Sequence, residues 1–205
     1  GATIDFARKL KGVDIVVVLD LSTAMLAADG EPNRLERAKR ELADLLGMLD
    51  GDRLGLVAFA GTAFVQCPLT VDYRAYQLFL DSLDPRMMPV QGTDLGAAIA
   101  TAVQTFDEEM LSSKAILLIS DGEDNEGRGL EAAEQANELG IKIFAIGVGG
   151  EDPAPVPDLQ RGGNRRDKAT GEVILTRFDE EGLKRMALAT GGGYERSTTG
   201  DMDLD

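Results

Sequence analysis

The chain has 205 residues, a length typical of one domain with its own hydrophobic core, and we expect residues 1–205 to form a single domain. Of its residues 43% are hydrophobic but only 5% are aromatic, so that core must consist mainly of aliphatic side chains. The formal net charge of −15 argues against nucleic-acid binding, because phosphates would be repelled, and favours a cationic or metal-bridged partner.

Residues 1–12 mix basic and apolar side chains and are interpreted as a lead-in, either an edge or a tether. The unbroken aliphatic and β-branched run at residues 15–19 then predicts a central strand buried on both faces. That run ends at Asp20, and Ser22 follows closely. Open α/β sheets bind ligands at the carboxyl ends of their strands, and carboxylate and hydroxyl oxygens suit a hard cation such as Mg²⁺. On the strand alone, a loop-capping role for both side chains is an open alternative.

The segment after this strand predicts a helix that begins at Asn33, with Glu36 three residues later as in a capping box. Its apolar residues recur at helical spacing and are expected to face the core; they are Leu35, Ala38, Leu42, Leu45 and Leu49. Charged residues are placed on the outer face, namely Arg37, Lys39, Arg40 and Glu41.

Residues 53–60 and 63–67 flank a short glycine-containing turn and predict a hairpin, with one antiparallel edge strand in an otherwise parallel sheet. The chain's single cysteine, Cys67, lies in this hairpin and excludes an internal disulfide. We expect a buried and inert thiol, because the chain has no histidine to activate it. After a loop at residues 84–92, Thr93 opens another helix, where its hydroxyl is suited to an N-cap.

Residues 115–119 predict a second fully buried strand, which again ends on a hydroxyl and a carboxylate, the latter being Asp121. Residues 141–147 predict the next buried strand, residues 150–177 an irregular loop plus an inserted hairpin, and residues 194–197 a final edge strand. Helices alternate with these strands. The fold class we predict is α/β, a doubly wound, mostly parallel central sheet with one antiparallel edge strand and helices on both faces.

Four oxygen-bearing side chains, Asp20, Ser22, Thr93 and Asp121, thus fall at the same end of adjacent predicted strands. Together they resemble the metal-ion-dependent adhesion site of von Willebrand factor A-type (VWA) domains, whose pattern is Asp-x-Ser-x-Ser, a distant Thr and a distant Asp. Further segments resemble the bacterial Bat-type branch of that family, named for aerotolerance: residues 33–40, 51–61, 67–72, 92–93, 120–124 and 190–194. The resemblance covers nearly the whole chain and implies a VWA, Rossmann-like fold.

The resemblance implies that Asp20, Ser22, Thr93 and Asp121 are ligands of Mg²⁺, or of Mn²⁺ or Ca²⁺. It also implies a non-enzymatic domain whose partner protein offers an acidic side chain to the ion. Bat-type relatives usually carry the domain between membrane helices, facing the bacterial periplasm. We therefore expect an inner-membrane anchor in flanking segments absent from this chain, and a soluble domain. The lack of an initiator methionine fits such an excised segment.

One position departs from the family pattern. The third motif position, normally serine, is Ala24, so one hydroxyl ligand is missing. Thr23 is not expected to substitute, because neighbouring residues in such a loop point in different directions. Either water fills the vacancy, or the affinity falls enough that the site stands empty without a partner.

Two alternatives to metal-assisted protein binding remain at this point. A structural scaffold with a degenerate metal site has Ala24 as its only support. A Mg²⁺-dependent phosphohydrolase would use Asp20 as nucleophile, but haloacid-dehalogenase-like enzymes need a second aspartate two residues later, where this chain has Ser22. The chain also has no histidine and no P-loop-like glycine motif. Protein binding is therefore the leading hypothesis.

Overall fold

A computed structural model describes residues 2–29, 32–108 and 112–197 of the chain. The strands of its main sheet are β1 (Val13–Asp20), β2 (Leu54–Phe59), β3 (Ala63–Thr70), β4 (Ser113–Ser120), β5 (Lys142–Val148) and β8 (Gly193–Ser197). Two short strands, β6 (Ala154–Pro155) and β7 (Leu175–Thr176), form a separate pair. The α-helices are α1 (Ala2–Leu10), α2 (Arg34–Met48), α3 (Tyr73–Asp81), α4 (Leu95–Thr105), α5 (Gly129–Glu138) and α6 (Glu180–Ala189).

The main sheet has six strands in the order β3-β2-β1-β4-β5-β8, with β1 and β4 at its centre. All neighbouring pairs are parallel except β2 and β3, which form the predicted antiparallel hairpin at one edge. The fold class predicted from the sequence is therefore confirmed. Because parallel strands run in one direction, the carboxyl ends of β1 and β4 lie side by side. Polar side chains that follow these two strands therefore lie close together.

Helices cover both faces of the sheet, and the sheet divides the hydrophobic core into two layers. Alternate residues of β1 point to opposite faces, so Val17 and Leu19 join one core cluster and Val16 and Val18 the other. The first cluster includes apolar residues of α1, α2 and α3, and the second includes those of α4, α5 and α6. Burial on both faces explains why the β1 sequence is an unbroken apolar run.

The amino-terminal segment differs from its prediction as an edge or a tether. Within the predicted lead-in, Ala2–Leu10 form α1, while Gly1 lies outside the described residues. Phe6 and Leu10 are buried one helical turn apart, and the ring of Phe6 meets that of Phe144 edge-on with centroids 5.2 Å apart. This apolar stripe packs α1 against the sheet. It is too short for its helical periodicity to be recognised in the sequence.

Helix α2 begins as predicted, but its charged residues are not all on the outside. The side chain of Asn33 accepts a hydrogen bond from the Glu36 backbone at 2.8 Å, which confirms the cap. Arg37 and Glu41, predicted on the outer face, are only 5% and 3% exposed. Both reach Ser197 at the end of β8: Arg37 Nε donates to Ser197 Oγ, and that hydroxyl donates to Glu41 Oε1, each at 2.8 Å. Long-range contacts of this kind are invisible to helical periodicity.

Cys67 is a free, buried cysteine in β3. Burial raises the pKa of its thiol, and the nearby charge of Asp72 adds to that shift. A raised pKa disfavours the thiolate, which is the reactive form. The structure therefore agrees with the expected inert thiol.

Residues 150–177 contain short antiparallel pairings. The strand β6 pairs with β7, and isolated bridges join Pro157 to Asn164 and Arg166 to Val173. The chain between Arg166 and Val173 turns at Gly171, whose φ of 73° favours glycine. The Gly171 N–H donates to the Asp167 carbonyl at 2.9 Å. This segment lies beside the carboxyl ends of the strands, where Thr176 contacts the residues described below.

Among the described residues, none of the helices combines the length and apolar composition needed to cross a membrane.

Candidate metal centre

Two fully buried carboxylates lie at the carboxyl edge of the sheet. Asp20 is the last residue of β1 and Asp121 directly follows β4, and β1 and β4 are neighbouring parallel strands with Leu19 paired to Ile119. Both carboxylates have a relative exposure of 0%. Buried carboxylates are costly unless protons, hydrogen bonds or cations compensate them, so the surroundings of these two decide what the site can do.

Asp20 receives hydrogen bonds on both of its oxygens. Its Oδ1 accepts from the Ser22 backbone N–H and its Oδ2 accepts from Ser120 Oγ, both at 2.8 Å. Burial raises the pKa of Asp20, while these two hydrogen bonds oppose that shift. Each carboxylate oxygen can accept more than one contact. Asp20 is therefore held in a fixed orientation with capacity for a further ligand.

The Ser22 hydroxyl is buried beside the Asp20 carboxylate. Its residue is only 4% exposed, and its Oγ is buried without a hydrogen-bond partner among the described residues. The same hydroxyl faces the Asp20 carboxylate closely enough to oppose the effect of burial on the pKa of Asp20, although the two groups do not meet hydrogen-bond geometry. Buried hydroxyls without partners are rare in folded proteins and call for an explanation. A cation that takes the hydroxyl oxygen as a ligand provides one.

Thr93 is buried in the loop before α4 and is tied to the loop after β4. Its backbone N–H donates to Asn125 Oδ1 at 2.7 Å, and its carbonyl accepts from the Asn125 N–H at 2.9 Å. The N-cap of α4 is Asp94, whose side chain accepts from the Ala97 N–H. The sequence had suggested Thr93 for that cap. Its hydroxyl is thus not needed for capping.

The missing third hydroxyl is not replaced by its neighbour. Ala24 lies buried in a short 3₁₀ helix, Thr23–Leu26. The Thr23 hydroxyl donates to Gln91 Oε1 at 2.7 Å, which connects this loop to the one that carries Thr93. Thr23 therefore has a different hydrogen-bonding role, in agreement with the expectation that it does not substitute for a serine at position 24.

Asp121 has a cationic neighbour that the sequence did not reveal. Its Oδ2 accepts from Arg34 Nη1 at 3.0 Å, and its Oδ1 accepts from the Glu123 N–H at 3.1 Å. Burial raises the pKa of Asp121 well above its ordinary value, the Asp20 charge raises it further, and the Arg34 charge opposes both. Arg34 is the first residue of α2, the helix that follows β1, and in parallel α/β sheets such a helix starts at the ligand-binding edge. The position of Arg34 at the start of α2 was therefore the signal in the sequence that could have placed it near the site.

The four predicted ligands therefore lie on neighbouring loops at one edge of the sheet, linked by the hydrogen bonds above. No group of three or more His, Cys, Asp and Glu side chains in the described part of the chain is arranged to hold a metal. An ion at this edge would depend on hydroxyl oxygens as well as on the two carboxylates. Two carboxylates, a buried serine hydroxyl and a buried threonine fit a small, hard divalent cation.

A comparison with known proteins identifies the family. Residues 15–123 match a family model of the von Willebrand factor type A domain. The chain belongs to this family. The matched segment of this VWA domain begins in β1 and ends in the Asp121 loop, so it contains all four predicted ligands.

Solved structures place the domain beside Bat-type proteins, as the sequence predicted. An aerotolerance-related membrane protein from Bacteroides fragilis is 38% identical, with a TM-score of 0.87 and 94% of each chain covered. BatB from Bacteroides thetaiotaomicron is 40% identical, with a TM-score of 0.86 and the same 94% coverage of each chain. A Borreliella burgdorferi protein is 30% identical over 88% of this chain and 52% of its own length. The chain thus spans about half the length of the curated relatives it matches.

Proposed function

We propose that this VWA domain binds a partner protein through a divalent cation held by Asp20, Ser22, Thr93 and Asp121. The observation that carries the proposal is the buried Ser22 hydroxyl, which faces the fully buried Asp20 carboxylate and has no hydrogen-bond partner in the described part of the chain. When bound, Mg²⁺, Mn²⁺ or Ca²⁺ would supply a concentrated positive charge to which an acidic side chain of the partner can coordinate. The residues of this chain fix the orientation of the two carboxylates by hydrogen bonds.

Net charge supports an ion-dependent contact with an acidic partner. The chain carries a formal charge of −15, so an acidic ligand approaching the bare protein would be repelled. A bound divalent cation is the largest local charge in such a site and reverses the sign of the field around it. The same argument disfavours nucleic acid as the partner.

The residues around Asp20 argue against the phosphohydrolase alternative. The position two residues later is Ser22, and the chain has no histidine for acid–base catalysis. We therefore propose a non-enzymatic binding domain. The degenerate-scaffold alternative is separated from it by metal titration.

We further propose that the full-length protein is anchored in the bacterial inner membrane and presents this domain to the periplasm. Two facts support this placement. The relative from Bacteroides fragilis is described as a membrane protein. The curated relatives are about twice as long as the segment matched here, which leaves room for flanking spans.

Restoring the missing hydroxyl should strengthen ion binding. Ala24→Ser adds one oxygen at the motif position that the family normally fills with serine, so a ligand replaces water. We expect Mg²⁺ or Mn²⁺ affinity to rise roughly three- to tenfold, about 0.6–1.4 kcal/mol, measured by isothermal titration calorimetry. Equal or weaker affinity would mean that the vacancy does not limit binding.

The function itself is tested by partner capture. The immobilised domain should recover its partner from membranes of the source bacterium in Mg²⁺, lose it in chelator, and recover it when Mg²⁺ is restored. Asp121→Ala should imitate the chelator, because it removes a proposed ligand. Cys67→Ser is the control, since Cys67 lies in the edge strand β3 and outside the site. Equal recovery of the same partner with and without chelator would place the contact elsewhere on the surface.

A further inference from the structure

Arg34 is a buried cation in direct contact with a proposed metal ligand. Its side chain has a relative exposure of 0%. Nε and Nη2 each donate to an oxygen of Asp29 at 2.7 Å, while Nη1 donates to Asp121 Oδ2 at 3.0 Å and to Thr176 Oγ1 at 3.2 Å. The guanidinium thus joins the loop after β1, the loop after β4 and the strand β7. No sequence motif assigned it to the site.

The contacts around Arg34 keep it charged and fixed. Burial alone would lower its pKa, but the hydrogen bonds to Asp29 and the charge of Asp121 raise it instead. Asp29 is itself fixed, because its Oδ2 also accepts from the Gly150 N–H at 2.9 Å. Thr176 accepts from Arg34 and donates to Glu123 Oε1 at 3.0 Å. Planar, charge-assisted contacts of this kind hold a guanidinium in one orientation.

A buried pair of carboxylates explains why a cation is needed there. Asp20 and Asp121 are both fully buried at the ends of neighbouring strands, and two like charges so placed repel each other. Breaking a buried ion pair is strongly destabilising, because it leaves an uncompensated charge. Arg34 therefore stabilises the edge of the sheet before any ion is present. A divalent cation at the same carboxylates would be repelled by the guanidinium charge.

We propose that Arg34 is a positioning residue of this site with two linked effects: it holds Asp121 in place when no ion is bound, and its charge lowers the affinity for the ion. Firm retention of the ion then requires the partner's carboxylate, which adds negative charge to the site. This inference rests on the proposed function, since it assigns Arg34 a role toward the same ion. It also gives a second physical reason, besides Ala24, to expect weak ion binding in the free domain.

The test compares Arg34→Gln with Arg37→Gln. Both variants remove a buried arginine from α2, but Arg37 donates to Ser197 and lies beside Glu41, neither of which is a proposed ligand. We expect Arg34→Gln to lower the thermal midpoint without ion and to bind Mg²⁺ about tenfold more tightly, because the repelling charge is gone. Added Mg²⁺ should then restore its midpoint. Arg37→Gln should lose stability without any change in Mg²⁺ affinity, and Arg34→Lys, which keeps the charge, should bind Mg²⁺ like the unmodified domain.

Each result separates this inference from the proposed function. If Arg34→Gln binds Mg²⁺ more tightly than the unmodified domain and Arg37→Gln does not, the proposed role of Arg34 is supported. If that variant binds Mg²⁺ and the unmodified domain does not, even with partner, Arg34 keeps its role and the proposed function fails. If the unmodified domain binds and Arg34→Gln binds equally or more weakly, the role of Arg34 is overturned and the proposed function stands. A variant that folds only in Mg²⁺ supports the inference. If Arg34→Gln fails to fold even in Mg²⁺ while Arg37→Gln folds, the inference is contradicted. It is also contradicted if neither the unmodified domain nor Arg34→Gln binds Mg²⁺.

Discussion

Gly122→Ala is expected to destabilise the domain by more than about 3 kcal/mol, because two penalties coincide at this residue. Gly122 follows Asp121 and has a φ of 83°, a conformation unfavourable for any residue with a Cβ. A Cβ atom there would lie 2.0 Å from the Asp179 carbonyl oxygen, far inside van der Waals contact. Relief would require the loop after β4 to move away from α6.

That movement would break contacts that fix the candidate site. The Asp179 N–H donates to the Asp121 carbonyl at 2.8 Å, and the Gly122 N–H donates to Ser120 Oγ at 3.0 Å. Ser120 Oγ in turn donates to Asp20. The substitution should therefore also weaken Mg²⁺ binding, even under conditions in which the variant stays folded.

A matched control lies in the same loop. Gly127 also has positive φ, at 68°, but a Cβ atom there would meet no heavy atom within 4 Å. Gly127→Ala should cost only about 1–2 kcal/mol, the strain of the left-handed conformation alone. Urea denaturation of both variants gives the comparison. Equal losses in the two would show that the contact with Asp179 is readily relieved.

The fold was predictable where burial on both faces left a continuous pattern. The apolar runs at residues 15–19 and 115–119 became the central strands β1 and β4, and the glycine turn after residue 60 became the β2–β3 hairpin. The same pattern located Asp20 and Asp121, because a strand that ends on a carboxylate places it at a known edge. The environment of these carboxylates was not predictable, since Ser120 and Arg34 approach them through tertiary structure.

Charged residues of α2 show why the rest was missed. Helical periodicity distinguishes an apolar stripe from a polar remainder, and it assigns every charge in that remainder to solvent. Arg34 instead meets Asp121, 87 residues away in the chain, and Arg37 meets Ser197, 160 residues away. Such pairs depend on which strand ends lie opposite the helix, and the periodicity of a single helix does not reveal that arrangement.

Glu41→Ala should be the second strongly destabilising change, with a loss of about 3–5 kcal/mol in the free energy of unfolding. The side chains of Arg37 and Glu41 are only 6% and 4% exposed, and their Nε and Oε1 atoms are 4.0 Å apart. Ser197 Oγ lies between them, accepting from the guanidinium and donating to the carboxylate. Alanine at position 41 removes the carboxylate that lies beside the buried guanidinium of Arg37. It also removes the acceptor of the hydrogen bond that Ser197, the last residue of β8, donates.

The same helix offers the control for this prediction. Glu36 is also paired with a cation, Lys39, at 3.8 Å, but its side chain is 47% exposed. Glu36→Ala should therefore change stability by less than about 1 kcal/mol, because water compensates exposed charges. Hydrogen exchange should show loss of protection at β8 in Glu41→Ala and none in Glu36→Ala.

A further variant distinguishes loss of packing from loss of the ion pair. Arg37→Met combined with Glu41→Leu removes both charges and keeps similar volume, so it should recover most of the stability that Glu41→Ala loses. If the double variant is as unstable as Glu41→Ala, the ion pair itself contributes stability that apolar packing does not replace. If Glu41→Ala is no less stable than Glu36→Ala, β8 is held in place by its pairing with β5 and not by the side chains of Arg37 and Glu41.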